Sequence, residues 1–108
     1  MKFLILSAVL VITSVSQATV VSCYLKKNLS HESDVRVQTE AIGKKVFLFE
    51  TDSVRSYITE KENKTFEIEA FLKSQEMRIY STGQIVEKPL MLSTWSRDEM
   101  LDIYCQQN

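Results

Sequence analysis

The only histidine of the chain, His31, stands in the run His31-Glu32-Ser33-Asp34, the one place where an imidazole meets carboxylates. A metal site or an acid–base pair needs those groups on one face. Adjacent residues of a strand point to opposite sides, and no second histidine supplies the spacing of a helical zinc motif. Serine-based hydrolysis would have to use His31 as its base, yet no Gly-x-Ser-x-Gly turn presents a serine to it. The run reads as a solvated polar loop.

Two facing carboxylates could hydrolyse a glycoside. Glu60, Glu62, Glu67, Glu69 and Glu76 fall close together, but lysines interleave with them, which is the pattern of a solvated mixed-charge face. A chain of 108 residues also leaves little room for a cleft between two positioned acids. With only Gly43 and Gly83 as glycines, no phosphate loop can form. The basic pairs Lys26-Lys27 and Lys44-Lys45 are offset elsewhere, to a net charge of -1, so no nucleic-acid partner is expected. Neither a cofactor nor a metal is expected, and catalysis is not the reading these residues favour.

The cysteines are more informative. Residues 1–18, MKFLILSAVLVITSVSQA, carry a basic Lys2, an apolar stretch from Phe3 to Val15, and Ser16-Gln17-Ala18 as a small-residue cleavage site. That is the form of a secretory signal peptide, and it is too short and too interrupted by Thr13, Ser14 and Ser16 for a membrane span. Removal after Ala18 would leave residues 19–108 as one exported domain, periplasmic or extracellular, without a transmembrane segment. Cys23 and Cys105 then lie near its two ends. In an oxidising compartment they allow one intramolecular disulfide, which ties the first element to the last. On the chain-entropy view such a closure is worth about 4 kcal/mol to a small domain with a modest core. A competing reading takes Val20-Val21-Ser22-Cys23 as a lipobox with Cys23 acylated. Val20 stands where leucine is preferred, and Tyr24-Leu25-Lys26 looks like a strand rather than a tether.

The elements that would position these groups are strands. Val21, Cys23 and Leu25 alternate with polar neighbours, as do Val35, Val37 and Thr39. Val46-Phe47-Leu48-Phe49 is an unbroken apolar run, expected of a strand covered on both faces. Segments 54–60, 65–72, 76–81, 90–95 and 101–106 complete the series. Turns are expected at 28–34, 42–44, 50–53, 61–64 and 81–83. Placing Ser74-Gln75 at a turn centre opposes Leu72 to Met77, Ala70 to Ile79, Phe71 to Arg78 and Glu69 to Tyr80, with Lys73 and Glu76 as an ion pair beside the turn. Ile58 faces Ile68 only if an odd loop or bulge lies near Asn63. Ser96 to Glu99 has a capping-box spacing but reads as a turn into a final strand.

The expected fold is thus all-β: a small antiparallel meander of seven or eight short strands closing into a barrel or sandwich. Its predicted core is Val21, Cys23, Val35, Val37, Phe47, Phe49, Ile58, Phe66, Ile68, Ala70, Leu72, Met77, Ile79, Leu101, Ile103 and Cys105. Tyr57, Phe71 and Tyr80 fall on successive strands in opposite phase to Ile58, Leu72 and Ile79. They form a candidate aromatic strip for a protein or glycan partner, unless other strands cover that face. Trp95 either plugs one end of the fold or binds something. Asn28 and Asn63 open glycosylation sequons in predicted turns. The function this supports is a non-catalytic exported binding module. A structural subunit of an envelope or surface assembly and a small secreted hydrolase are the alternatives.

Overall fold

The computed structural model of the chain describes residues 19–107, so the leader reading of residues 1–18 lies outside the described residues. Eight strands follow in order: β1 (Thr19–Lys27), β2 (Ser30–Thr39), β3 (Lys45–Glu50), β4 (Val54–Glu60), β5 (Phe66–Leu72), β6 (Met77–Gly83), β7 (Leu90–Trp95) and β8 (Met100–Gln107). They make two four-stranded antiparallel sheets, β2-β1-β8-β7 and β3-β4-β5-β6, which enclose one core as a β-sandwich. Only β3 to β6 form the expected meander. The first and last hairpins instead join through a β1–β8 pairing, so one sheet is built from the two ends of the chain.

Cys23 and Cys105 sit directly opposite each other in that pairing and are joined as a disulfide. Their Cα atoms are 4.1 Å apart, near the spacing of a non-hydrogen-bonded antiparallel pair. The bridge faces inward between Val35 and Leu90 of the flanking strands, and both cysteines are buried. The sulfur of Cys23 is therefore committed, which removes the lipoprotein alternative.

Alternation sorts the remaining side chains. Val21 and Leu25 of β1, Leu101 and Ile103 of β8, and Leu90 and Leu92 of β7 meet Val54 and Ile58 of β4 and Phe66, Ile68, Ala70 and Leu72 of β5. Burying an isoleucine or phenylalanine in such a position contributes about 1.5–3 kcal/mol. The predicted core errs at the sheet edges. Val35 and Val37 on β2 and Ile79 on β6 are only half-buried, because an edge strand has a neighbour on one side. Met77 at the start of β6 is exposed.

Phe47 departs for a different reason. A bulge between Phe47 and Phe49 inserts Leu48 as an extra residue in edge strand β3. Leu48 and Phe49 both turn inward, and Phe47 is left 51% exposed on the outer face. The apolar run thus marks a bulged edge, not a strand covered on both faces.

Two turns are shorter than expected. Lys27 pairs with Ser30, so the loop is only Asn28 and Leu29, at φ 53° and 70°. Positive φ at both central residues is the twist-matched hairpin turn. It lets the polar segment after it enter β2, and His31 lies in a strand rather than a loop. The 81–83 segment likewise completes β6 against β5. By contrast, the β5–β6 register is the expected one throughout, and Ile58 does face Ile68 across a five-residue loop with Asn63 and Lys64 at positive φ. Lys73, however, pairs with Glu50 of β3 rather than with Glu76. Gly43 at φ +90° permits the turn into β3, where its N–H donates to the Glu60 carbonyl at 2.8 Å.

Two stability measurements follow from this architecture. Opening the Cys23–Cys105 bridge, by reduction or by Cys23→Ala with Cys105→Ala, should lower the unfolding free energy by about 4 kcal/mol, read as a drop in the urea midpoint. Ser56 is fully buried in β4, opposite Phe49 and Ala70, and its hydroxyl has no hydrogen-bond partner. Ser56→Ala should therefore raise stability by about 1 kcal/mol in the same assay, and an unchanged or lowered midpoint would contradict the packing described.

Candidate functional site

The outer face of the β3–β6 sheet carries the side chains that alternation directs away from the core. Cross-strand register arranges them in rows. One row runs Phe47, Tyr57, Glu69, Tyr80, and the next runs Glu50, Arg55, Phe71, Arg78. Tyr57 and Phe71, on the two central strands, are half-buried, and Tyr80 on edge strand β6 is 55% exposed. No other strand covers them within the described residues. The three aromatics are not one continuous strip, since Glu69 separates Tyr57 from Tyr80 and Phe71 lies a row away.

Charged side chains fill the gaps. Glu69 is almost fully buried although it points outward, because Lys45 and Arg78 close over it. Its two oxygens accept from Lys45 Nζ at 2.9 Å and Arg78 Nε at 3.2 Å. A carboxylate so placed needs both partners, since losing either leaves a poorly solvated charge. The same cations lie over rings: Lys45 Nζ is 5.3 Å from the Tyr57 centroid and the Arg78 guanidinium 5.5 Å from that of Phe71. Phe47 meets Tyr57 edge to face at 6.0 Å. Lys45, Arg55, Tyr57, Glu69, Phe71 and Arg78 thus rim a shallow depression of about 270 Å³.

Glu50 organises the neighbouring corner. Its carboxylate accepts from Arg55 Nε at 2.7 Å and from Lys73 Nζ, which also donates to the Thr51 carbonyl at 2.7 Å. Lys45, Arg55, Lys73 and Arg78 face only Glu50 and Glu69 here, so the depression is cationic on a chain whose net charge is -1. Of this site, the sequence reading named Tyr57, Phe71 and Tyr80 and missed Phe47 and the cations. The expected β5–β6 register already set Arg78 opposite Phe71 without reading the pair as part of a site, and alternation alone does not place the bulge that exposes Phe47.

His31 is placed elsewhere, on the outer face of the other sheet. The bulge at Glu32 puts His31 and Asp34 on one side, with Nε2 to Oδ2 at 3.5 Å. Tyr24 stacks between His31 and Tyr104, at 6.3 Å and 5.0 Å. Both His31 and Asp34 are well exposed to water. Among the described residues no three metal-capable side chains come together, and no helix is long and apolar enough to cross a membrane. Trp95 plugs nothing: it is 77% exposed at the end of β7.

The hydrogen bonds from Arg55 and Lys73 hold the Glu50 carboxyl at about 2, down from an ordinary 4.5. A lowered carboxyl stabilises fully above its unfolded value and loses that contribution as pH falls through the folded one. Wild type should therefore exceed Glu50→Gln in urea midpoint at pH 7, with the gap closing between about pH 4.5 and 2; a gap independent of pH would contradict the pairing. Comparison of the chain with protein-family models, curated proteins and solved structures finds no match.

Proposed function

We propose that the chain is a non-catalytic exported binding module, and that the outer face of the β3–β6 sheet is where it meets a protein partner. The observation that carries this reading is the grouping of Phe47, Tyr57, Phe71 and Tyr80 with Arg55 and Arg78 on one uncovered sheet face. Aromatic and arginine side chains provide most of the binding energy at protein interfaces. Here the rings are pre-positioned: cross-strand neighbours and overlying cations restrict them, so less side-chain freedom is lost on association. The local excess of cations favours an acidic surface on the partner. Export is supported by the buried disulfide, a bond that persists in oxidising compartments.

The test uses two charge-reversed and one apolar-truncated form of the chain: Arg55→Glu, Arg78→Glu, and Phe47→Ala with Tyr80→Ala. Immobilised wild type and variants are exposed in parallel to the source cell's envelope or medium, and the retained protein is identified and titrated. A partner bound by wild type should be weakened about tenfold or more by each variant and by raised salt. A partner held equally by all forms would place the interface elsewhere. Concentration-dependent self-association of wild type with no other partner would favour the assembly-subunit reading instead.

A further inference from the structure

Trp95 is the only tryptophan of the chain and, among the described residues, its most exposed large apolar side chain. It stands at the end of the sandwich where the turns at 28–29, 51–53, 73–76 and 96–99 gather. Beside it a small notch opens between the two sheets. Ser53, Ser74 and Gln75 line it from one sheet, and Thr94, Ser96 and Glu99 from the other. Its volume is about 20 Å³, room for one water-sized group.

The polar atoms around the notch fall into two sets. Glu99 is held in place: its Oε2 accepts from Ser53 Oγ at 2.7 Å and from Lys27 Nζ at 3.2 Å, which leaves Oε1 open. The turn behind it is fixed by the Ser96 N–H donating to the Glu99 carbonyl at 2.7 Å. The Ser53 hydroxyl, and after it Lys27, keep the Glu99 carboxyl below its ordinary range, so it is an ionised acceptor at neutral pH. The side chains of Ser74, Gln75 and Thr94, in contrast, have no hydrogen-bond partner among the described residues. A flat exposed ring therefore adjoins a fixed carboxylate, a free amide and free hydroxyls.

We propose that this end of the sandwich is a carbohydrate site, in which a neutral pyranose stacks its C–H face on Trp95 and places one hydroxyl in the notch against Glu99 and Gln75. A sugar ring has the matching chemistry: an apolar face, and a rim of hydroxyls that each donate and accept. An ionised carboxylate accepts from hydroxyls strongly, and carboxamides serve both directions. The indole supplies a large apolar face with little side-chain freedom to lose. Glu99 brings a fixed negative charge into the notch itself, which disfavours an anionic uronic or sulfated group placed there. The inference is independent of the partner face, since no residue of the notch lies on the outer surface of the β3–β6 sheet.

Because Trp95 is the sole tryptophan, its fluorescence reports this site alone. The oxidised chain, residues 19–108, is titrated with cellohexaose, xylohexaose, maltohexaose and chitohexaose to about 10 mM, a range that reaches millimolar affinities. At least one should give a saturable change in Trp95 emission. Calorimetry with that sugar should show about tenfold weaker binding by Gln75→Ala, and loss of measurable binding by Trp95→Ala. Both side chains are surface groups without structural hydrogen bonds, and circular dichroism checks that the variants stay folded. No saturable response to any of the four sugars would overturn the proposal. So would binding unaffected by Trp95→Ala and Gln75→Ala, or a preference for a galacturonic acid hexamer over all four.

Discussion

The pairing of β1 with β8, locked by Cys23–Cys105, is the constraint on which the other features rest. The two cysteines are 82 residues apart in sequence, and every other strand lies between theirs. Closing them makes one sheet from the chain's ends and forces the central meander to pack against it. Non-local pairing of this kind must offset loop-closure entropy before its contacts contribute. The covalent bridge lowers that cost in the unfolded state, which matters in a domain whose core is small. The same bridge lies in the core row between Val35 and Leu90, so it also serves as packed apolar volume.

Strand positions were legible in the sequence because inward and outward residues alternate on half-covered sheets, and each of the eight expected segments became a strand. Registers within hairpins were legible too, as the Leu72–Met77 and Ile58–Ile68 pairs show. What alternation does not encode is which strands become edges. That depends on the β1–β8 closure, and it decides that Val35, Val37, Ile79 and Met77 are less buried than their residue types suggest. Bulges are likewise silent: Leu48 and Glu32 each add one residue, and each changes which side chains share a face. Ile85, buried in the core beyond the end of β6, belongs to no alternating segment; its carbonyl accepts from the Gln107 N–H at 3.4 Å, which holds that loop against the end of β8.

The candidate partner face shows the same division. The phases of Tyr57, Phe71 and Tyr80 were readable, because residues out of phase with core positions must point away from the core. Their chemical setting was not, because Lys45 reaches Glu69 across β4, two strands away. A side chain counted as part of a solvated acidic cluster turns out to be a buried anchor for two cations. Glu67, two residues earlier on the same face, keeps a looser pairing with Lys61 at 3.6 Å. Both stand on central strand β5; the stems of Lys45 and Arg78 closing over Glu69 separate these two glutamates, and composition alone treats them alike.

The proposed sites differ in how the fold holds them, and that difference bears on what each could recognise. The sheet face is fixed by the backbone ladder along its whole area, so it is broad, shallow and rigid, as suits another protein's surface. The notch beside Trp95 lies where the ladders end, and its walls come from turns of both sheets. Glu99 ties turns of the two sheets together, joining the 96–99 turn to Ser53 in one sheet's loop and to Lys27 at the end of β1. Asn28 adds a second tie, exchanging hydrogen bonds with Met100 at 2.8 and 2.9 Å. Because β1 is itself fixed to β8 by the disulfide, the geometry of the turn end is continuous with the bridge in the core. A small ligand site at the end of a sandwich needs such a brace, since it must position a few polar atoms without a ladder to do so.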